Sequence, residues 1–271
     1  MPNYCSPSKK PNHKLNTCYD STDIIQLVNA FNKYILHSPI CKNNTCINPT
    51  PINTNQNINN LYKELTRRLK HLCRQDFCWL DLKFIKEIKD KNLRDSILYF
   101  TFKPKQLATK KTWFNTININ EIMEQYQDLY QDIFKFLGAQ PSDFTKIIKL
   151  NWKEIKNYSY IGIIFNTDPH NLPGTHWIAI FIDNNKKYLD YFDSLGQLPN
   201  KNIASFLKHF KNYTFTFNKK IHQKGGSNCG AYSCYFIIQR LKGKSFDDIN
   251  KKLISDKKMT GYRNHLFRPK Y

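Results

Sequence analysis

The spacing of apolar side chains predicts helices in the first part of the chain. From Ser21, the predicted N-cap, apolar residues recur at every third or fourth position to about His37, which is typical of an amphipathic helix. The same period returns over 61–72 and 82–93, with lysine and arginine on the outer faces. The pattern predicts a basic helical region of about 80 residues, preceded by a polar, mobile lead of about 20 residues. The Asn-, Thr- and Pro-rich stretch 41–60 is predicted to be a loop.

The second part of the chain mixes strands with helices. Helices are predicted around 122–133, over 202–210 and from Cys229 onward. Three runs of aromatic and β-branched residues have the pattern of strands: YIGIIF at 160–165, WIAIFI at 177–182 and KKYLDYF at 186–192. Pro104 and the lysines nearby predict a boundary between the two parts. The expected fold class is α+β, with a helical N-terminal arm over 1–104 and a core of sheet and flanking helices over 105–271.

Composition and charge narrow the classes of function. The 271 residues are 40% hydrophobic, which is enough for a packed core, so a disordered polymer is excluded. Lysine and arginine number 42 against 21 acidic residues, and the net charge of +21 favours an acidic partner. No apolar stretch approaches the roughly 18 residues of a membrane span, and the first residues lack the apolar block of a signal peptide. We therefore expect neither membrane insertion nor secretion by that route.

The cysteines admit more than one interpretation. Eight cysteines are too few for a disulfide scaffold, and we expect them to stay reduced, so that at least one is free to react. A structural zinc in the arm is an alternative for four of them, although the spacing of four residues is wider than the usual two. Free or disulfide-capable thiols remain the default for that group: Cys41, Cys46, Cys73 and Cys78.

Two of the predicted strands bring a histidine and a carboxylate together. A two-residue loop of Asn184 and Asn185 is the simplest hairpin connection between WIAIFI and KKYLDYF. In that register His176 lies opposite Asp193 on one face, with Cβ atoms about 5 Å apart, and Asp190 points to the other face. A carboxylate beside an imidazole fixes its tautomer and favours its protonated form, as a general base requires.

Cys229 is placed at the beginning of a helix, after the flexible turn 225–227. The free N–H groups and the dipole of a helix N-terminus favour a thiolate and can bind the oxyanion of a tetrahedral intermediate. Gly230 leaves room there for a substrate backbone, and the amide of Gln223 is a candidate oxyanion donor. Cys234 falls on the apolar face of the same helix and is expected to be structural.

The order and spacing of these residues resemble a known family. The motifs GTHW, YFDS and Q-x5-CG, which contain His176, Asp193, Gln223 and Cys229, are similar to those of the papain-like cysteine proteases that process SUMO and other ubiquitin-like proteins, and of the adenovirus protease. Within that clan, the helical extension and the motif YRNHLFR at 262–268 look most like the virion polyprotein proteases of large nucleocytoplasmic DNA viruses, such as the African swine fever virus enzyme.

The resemblance implies a papain-like core of the adenovirus and SUMO protease type, and a thiol endopeptidase. It implies His176 as base, Asp193 as its orienting partner, Cys229 as nucleophile and Gln223 as the donor to the oxyanion. It also implies substrates with Gly-Gly-x sites, because aromatic side chains close a narrow tunnel over the residues before the cut. Trp177 is the candidate for part of that tunnel, and a core tryptophan of the strand is the alternative.

The implied partners are viral structural polyproteins, cut during virion maturation in the virion or in the viral factory of the host cytoplasm. A protease that removes SUMO-like or ubiquitin-like modifiers is the alternative enzyme, and a basic nucleic-acid-binding virion protein is the alternative without enzymatic activity. The adenovirus relative uses DNA as a cofactor, so DNA activation through the basic surface is a further hypothesis, and no other cofactor is expected. The sequence leaves open the oligomeric state and the role of the arm.

Overall fold

The computed structural model describes residues 3–270, which form two compact units. The first unit runs to Lys105 and includes the chain again from Arg268, and the second unit is Gln106–Phe267. Among the described residues, no helix is both long enough and apolar enough to cross a bilayer.

The first unit is built from helices and short turns around an aromatic core. Its helices and strands are α1 (Ser21–Ile35), β1 (Ile40–Lys42), β2 (Thr45–Ile47), α2 (Ile58–Leu69) and α3 (Lys91–Phe100), with 3₁₀ turns at Asp76–Asp81 and Lys83–Glu87. Helix α1 is capped by Asp20 and Asp23 in a capping box, and not by Ser21 as predicted. The predicted helix over 82–93 is wrong. Leu82 and Ile88 have extended backbones, so their apolar side chains enter the core from short turns and not from one helical face.

The polar residues before α1 are packed and not a mobile lead. Over residues 3–20, a disulfide joins Cys5 to Cys18, Tyr19 is fully buried, and the Thr17 hydroxyl donates a hydrogen bond to Asp76. The predicted loop 41–60 also contains structure, because β1 and β2 form an antiparallel hairpin whose turn residues have left-handed backbones. Both turn residues are asparagines, the residues other than glycine that tolerate such backbones best.

The second unit has a five-stranded mixed sheet with helices on both faces, which confirms the α+β prediction. Its elements in order are α4 (Thr116–Leu129), β3 (Phe134–Gln140), α5 (Trp152–Ile155), β4 (Tyr160–Asn166), β5 (Trp177–Asp183), β6 (Tyr188–Phe192), α6 (Lys201–Leu207), β7 (Thr214–Phe217), α7 (Cys229–Leu241), α8 (Phe246–Asn250) and α9 (Asp256–Leu266). The spatial order is β3-β4-β5-β6-β7, with antiparallel pairing in the centre and parallel pairing at both edges.

The three central strands were predicted and the two edge strands were not. A turn of four residues separates α4 from β3, and Ile133 in this turn continues the helical spacing and hides the change to a strand. Strand β7 has four residues and is half exposed, which leaves little alternation to detect. Helix α7 packs on β5 and is buried on almost every side, since Arg240 is its one residue that is not buried. The sequence predicted a single buried face for this helix.

The hairpin of β5 and β6 has a longer turn than predicted. Asp183 pairs with Tyr188, so the loop has four residues, and Asp190 faces Phe181. The Asp183 carboxylate accepts hydrogen bonds from the backbone N–H groups of Asn185 and Lys186, at 3.0 and 2.9 Å, which stabilises this turn. The register therefore differs from the predicted one by two residues. Because a shift of two preserves the face of each side chain, the predicted contact between the histidine and the carboxylate survives.

Three disulfides replace the expected free thiols in the first unit. They join Cys5 to Cys18, Cys41 to Cys46 and Cys73 to Cys78, with Cα separations of 5.3, 4.1 and 5.6 Å. The expectation that the cysteines stay reduced is wrong for these pairs, although the default for Cys41, Cys46, Cys73 and Cys78 included disulfide-capable thiols. The fold brings the two thiols of each pair within bridging distance, across 13 residues for Cys5 and Cys18 and across five for the other two pairs. The alternative of a zinc site loses its ligands, since zinc needs thiolates. Among residues 3–270, no cluster of three or more His, Cys, Asp or Glu side chains is placed to hold a metal.

We predict that the denatured, unreduced protein contains two reactive thiols, those of Cys229 and Cys234. Titration with a chromogenic disulfide in guanidinium, before and after reduction, measures this number directly. Reduction should raise the count to eight, the number of cysteines in the chain. A count of eight before reduction would contradict the three disulfides, and the Cys229→Ala variant, which should give one thiol, is the control.

Candidate active site

A histidine and an aspartate meet at the end of the central hairpin. His176 directly precedes β5 and Asp193 directly follows β6, so both leave the sheet at the same end. The Nε2 atom of His176 lies 2.7 Å from Oδ1 of Asp193, in the geometry of a charge-assisted hydrogen bond. The predicted pair is therefore present, although the loop that forms it is longer.

The backbone around the carboxylate is fixed by a buried asparagine that the sequence analysis missed. The backbone N–H of Asp193 donates to Oδ1 of Asn218 at 2.8 Å, and Nδ2 of Asn218 donates to the carbonyl of Asp193 at 2.6 Å. The N–H of Leu195 donates to the Asp193 carboxylate at 2.8 Å. Asn218 follows β7 directly, but this short edge strand was not predicted, so no sequence signal placed the asparagine beside Asp193.

The thiol predicted to react lies at the N-terminus of the central helix. Cys229 is the first residue of α7, is 2% exposed, and lies close enough to His176 for a hydrogen bond. Nε2 of His176 is used by Asp193, which leaves Nδ1 for the thiol. Burial lowers the pKa of His176, but the hydrogen bonds and negative charges of Asp193 and Cys229 outweigh burial and raise this pKa to about 9. The arrangement thus favours the protonated form of the His176 imidazole.

Gln223 lies in the same cavity, held by the residue after the aspartate. Its Oε1 accepts a hydrogen bond from the Ser194 hydroxyl at 2.9 Å, and its Nε2 donates to the carbonyl of Gly226 at 3.0 Å. The carbonyl of Ser194 accepts from the N–H groups of His222 and Gln223, both at 2.9 Å. These bonds fix the orientation of the amide, and the second N–H of Nε2 remains available to a ligand.

The four side chains line one cavity of about 460 Å³, which we call the thiol cavity. Its other walls include Trp113, Thr175, Leu195 and Leu198. A neighbouring cavity of about 480 Å³ has Gln140, Asp168, Leu172 and Gly174 in its walls, and Trp113 and Thr175 line both cavities. No lysine or arginine of the described residues lines either cavity, although the chain has 42 of them.

Trp177 and Gly230 both pack on Phe114. The indole N–H of Trp177 donates to the Phe114 carbonyl at 2.8 Å, and the ring is buried in the core, although it also lines the neighbouring cavity. A Cβ on Gly230 would lie 2.7 Å from Cβ of Phe114. The space that this glycine leaves is therefore filled by Phe114, and not by a substrate backbone as predicted. Trp113 is 51% exposed between the two cavities, and its position far from the other motifs in sequence explains why it was missed.

Two further histidines have structural partners. His222 is buried, and its Nδ1 accepts from the N–H of Ile254 at 3.1 Å while Nε2 lies 3.2 Å from Oδ1 of Asn250. Burial lowers the pKa of His222, in keeping with a neutral ring. His170 is exposed and lies 2.8 Å from Asp143 through Nδ1. Neither ring lines the thiol cavity.

Comparisons with known proteins relate this chain to cysteine proteases. The model of the Ulp1 protease family, C-terminal catalytic domain, matches residues 91–271. A putative thiol protease, R355, of Acanthamoeba polyphaga mimivirus is 32% identical over 98% of this chain and 93% of its own length. The cysteine protease S273R of African swine fever virus is 30% identical over 40% of this chain and 43% of its own. A crystal structure of the selenomethionine form of that pS273R protease has a TM-score of 0.67 at 18% identity, covering 100% of this chain and 97% of the other, so the two share a fold.

We predict that His176 titrates near pH 9 and that Asp193→Asn moves its midpoint down toward the ordinary value of 6.5. The raised pKa means that this interaction stabilises the fold fully below about pH 6.5, and that the stabilisation is lost as the pH rises through about 9. NMR titration of the histidine ring gives the midpoint, and urea unfolding across the same range gives the free energy. His222 is the internal reference, because its resonance should not move in the variant. An unchanged His176 midpoint in Asp193→Asn would contradict the assigned interaction.

Proposed function

Because the chain belongs to the Ulp1 protease family and is a cysteine protease, we propose that it is a virion endopeptidase that cuts structural polyproteins after Gly-Gly-x sites. The observation that carries the proposal is the common cavity of Cys229, His176, Asp193 and Gln223. A relative that matches nearly the whole chain is viral, and this similarity favours a viral substrate. The proposed location is the virion and the viral factory of the host cell.

In the proposed mechanism, the Cys229 thiolate attacks the carbonyl carbon of the scissile peptide bond and forms a tetrahedral intermediate. The negative charge that develops on the carbonyl oxygen is stabilised by the Cys229 backbone N–H, at the N-terminus of α7, and by Nε2 of Gln223. The His176 imidazolium gives its proton to the leaving amine, and an acyl-enzyme remains. His176 then takes a proton from water, which attacks the thioester; the acid leaves, and the Cys229 thiolate and the His176 imidazolium are restored. Asp193 holds the ring in place through both steps.

The two cavities provide a path for the substrate on either side of Trp113. The thiol cavity holds the scissile bond, and the neighbouring cavity takes residues that precede the glycine pair. A peptide that passes between them runs beside the Trp113 ring, where a residue without a side chain fits best. This arrangement supports the expectation of Gly-Gly-x sites. Trp177 contributes one wall of the neighbouring cavity, although its indole is anchored in the core.

The proposal includes two further hypotheses, one about the arm and one about nucleic acid. The arm predicted over 1–104 recruits the large polyprotein, and nucleic acid binds the basic surface through its phosphates. DNA added at low salt tests the second hypothesis, because an unchanged cleavage rate would remove it. Removal of SUMO-like or ubiquitin-like modifiers is the second candidate activity, since the family model that matches the chain is that of the Ulp1 proteases.

We expect wild-type protein to cleave Gly-Gly-x peptides and the viral structural polyprotein, and Cys229→Ala to cleave neither. The assay runs both proteins in parallel with SUMO and ubiquitin conjugates that release a fluorophore from the C-terminus. Cys234→Ala is the matched control, because this thiol is buried on the same helix outside the thiol cavity and its loss should leave cleavage unchanged. Cleavage of conjugates in place of the polyprotein would establish the second activity. Cleavage that survives in Cys229→Ala would reject the nucleophile.

We expect Trp113→Ala to lower kcat/KM for Gly-Gly-x peptides by about tenfold, or ~1.4 kcal/mol of transition-state stabilisation. The variant should also cleave Gly-Ala-x peptides relatively better, since the passage beside the ring becomes wider. Trp113→Phe retains an aromatic wall and is the control. Equal losses for both peptides would show that the ring does not select for glycine.

A further inference from the structure

A buried cation lies beside the site and takes no part in the proposed mechanism. Arg263 belongs to α9 and is 4% exposed. Its guanidinium donates to Oδ1 of Asn228 at 3.2 Å and to the carbonyl of Thr112, and its central carbon lies 4.7 Å from the centre of the Phe114 ring. The planar guanidinium thus donates two hydrogen bonds and stacks one face on an aromatic ring, and a lysine ammonium cannot make both kinds of contact.

Each contact of Arg263 leads to a different part of the site. Asn228 is the N-cap of α7 and precedes the Cys229 thiol. Thr112 precedes Trp113, which stands between the two cavities. Phe114 follows Trp113 and fills the space beside Gly230. The guanidinium therefore joins the segment 112–114 to the N-terminal end of α7.

The guanidinium of Arg263 is held by neutral groups, the Asn228 side chain and the Thr112 carbonyl. Within the described part of the chain, Arg263 forms no ion pair with aspartate or glutamate. Burial lowers the pKa of Arg263, and negative charge on Cys229 acts in the opposite direction. A buried positive charge without a countercharge is costly, and it stabilises an anion that forms nearby. The ionisable group directly after Asn228 is the thiol of Cys229.

We propose that Arg263 is a positioning residue that locks the segment 112–114 against the N-terminus of α7 and supplies a positive charge at the N-cap residue Asn228, directly before the Cys229 thiolate. This inference rests on the proposed role of Cys229 as the nucleophile. Two consequences follow from the geometry. Without the guanidinium charge the thiolate is less favoured, and without its planar contacts Trp113 is no longer held at the substrate passage.

The first test measures the alkylation rate of Cys229 by iodoacetamide as a function of pH, with the modified residue identified by mass spectrometry. In Arg263→Gln we expect an approximately tenfold lower rate at pH 6, and a rate that approaches the wild-type value above pH 10. Arg263→Lys keeps the charge and should stay within about threefold of wild type. A profile of Arg263→Gln identical to that of the wild type would overturn the proposal. Alkylation measures the reactivity of the Cys229 thiol without any substrate. It therefore distinguishes failure of this inference from failure of the proposed protease activity.

The second test separates positioning from a general loss of stability. Arg263→Lys should raise KM for Gly-Gly-x peptides at least fivefold with kcat within about threefold, because the lysine cannot hold the segment that carries Trp113. Arg240→Lys is the matched control, since this guanidinium also lies over a phenylalanine ring, 4.9 Å from the centre of Phe181, outside both cavities. The control should lower the melting temperature and leave KM unchanged. Equal KM values in Arg263→Lys and Arg240→Lys would reject the positioning role. If Arg263→Gln does not fold, the KM of Arg263→Lys still tests whether Arg263 positions the segment 112–114.

Discussion

The hydrogen bond between His176 and Asp193 is the contact around which the site of this protease is organised. It forms at the open end of the β5–β6 hairpin, beyond the last pair of that ladder, Ala179 with Phe192. A carboxylate that is buried there needs several donors, and it has the imidazole and the N–H of Leu195. The Asn218 side chain fixes the backbone of Asp193, because it accepts a hydrogen bond from the Asp193 N–H and donates one to the Asp193 carbonyl. A loss of any of these bonds would leave a buried polar group unpaired and would move the base.

The same short segment also positions the proposed oxyanion donor. Ser194 donates to the side chain of Gln223 and accepts from its backbone, so the acid and the amide are connected through neighbouring residues. The walls of both cavities carry no lysine or arginine among the described residues, in a protein with a net charge of +21. Surface lysines in water are screened over about 10 Å, so the nearest charges decide the protonation of the site. Among the ionisable side chains of the thiol cavity, His176 and Asp193 are in direct contact with each other.

Phe114 connects the parts of the site through packing. Its carbonyl accepts from the indole of Trp177, which follows the proposed base, and its ring lies beside Gly230, which follows the proposed nucleophile. The guanidinium of Arg263 covers the same ring. Because a packed interior has little free volume, a displacement of this ring shifts all three neighbours together. Trp113, directly before Phe114, takes its position between the cavities from these contacts.

The sequence by itself determined the central strands, the start of α7 at Cys229, and the approach of His176 to Asp193. These features follow from local rules: strand alternation, the turn before the helix, and the preservation of a face when the register shifts by two. The sequence did not determine the roles of Asn218, Trp113 or Arg263, which lie directly after an edge strand, on a connecting segment and on the last helix. It also did not determine the disulfides, because local spacing does not reveal which thiols come within bridging distance. The contacts of Asn218 and Arg263 depend on how α7, α9 and the sheet edges pack. Packing joins residues that are far apart in the chain, and no periodicity in the sequence relates such residues.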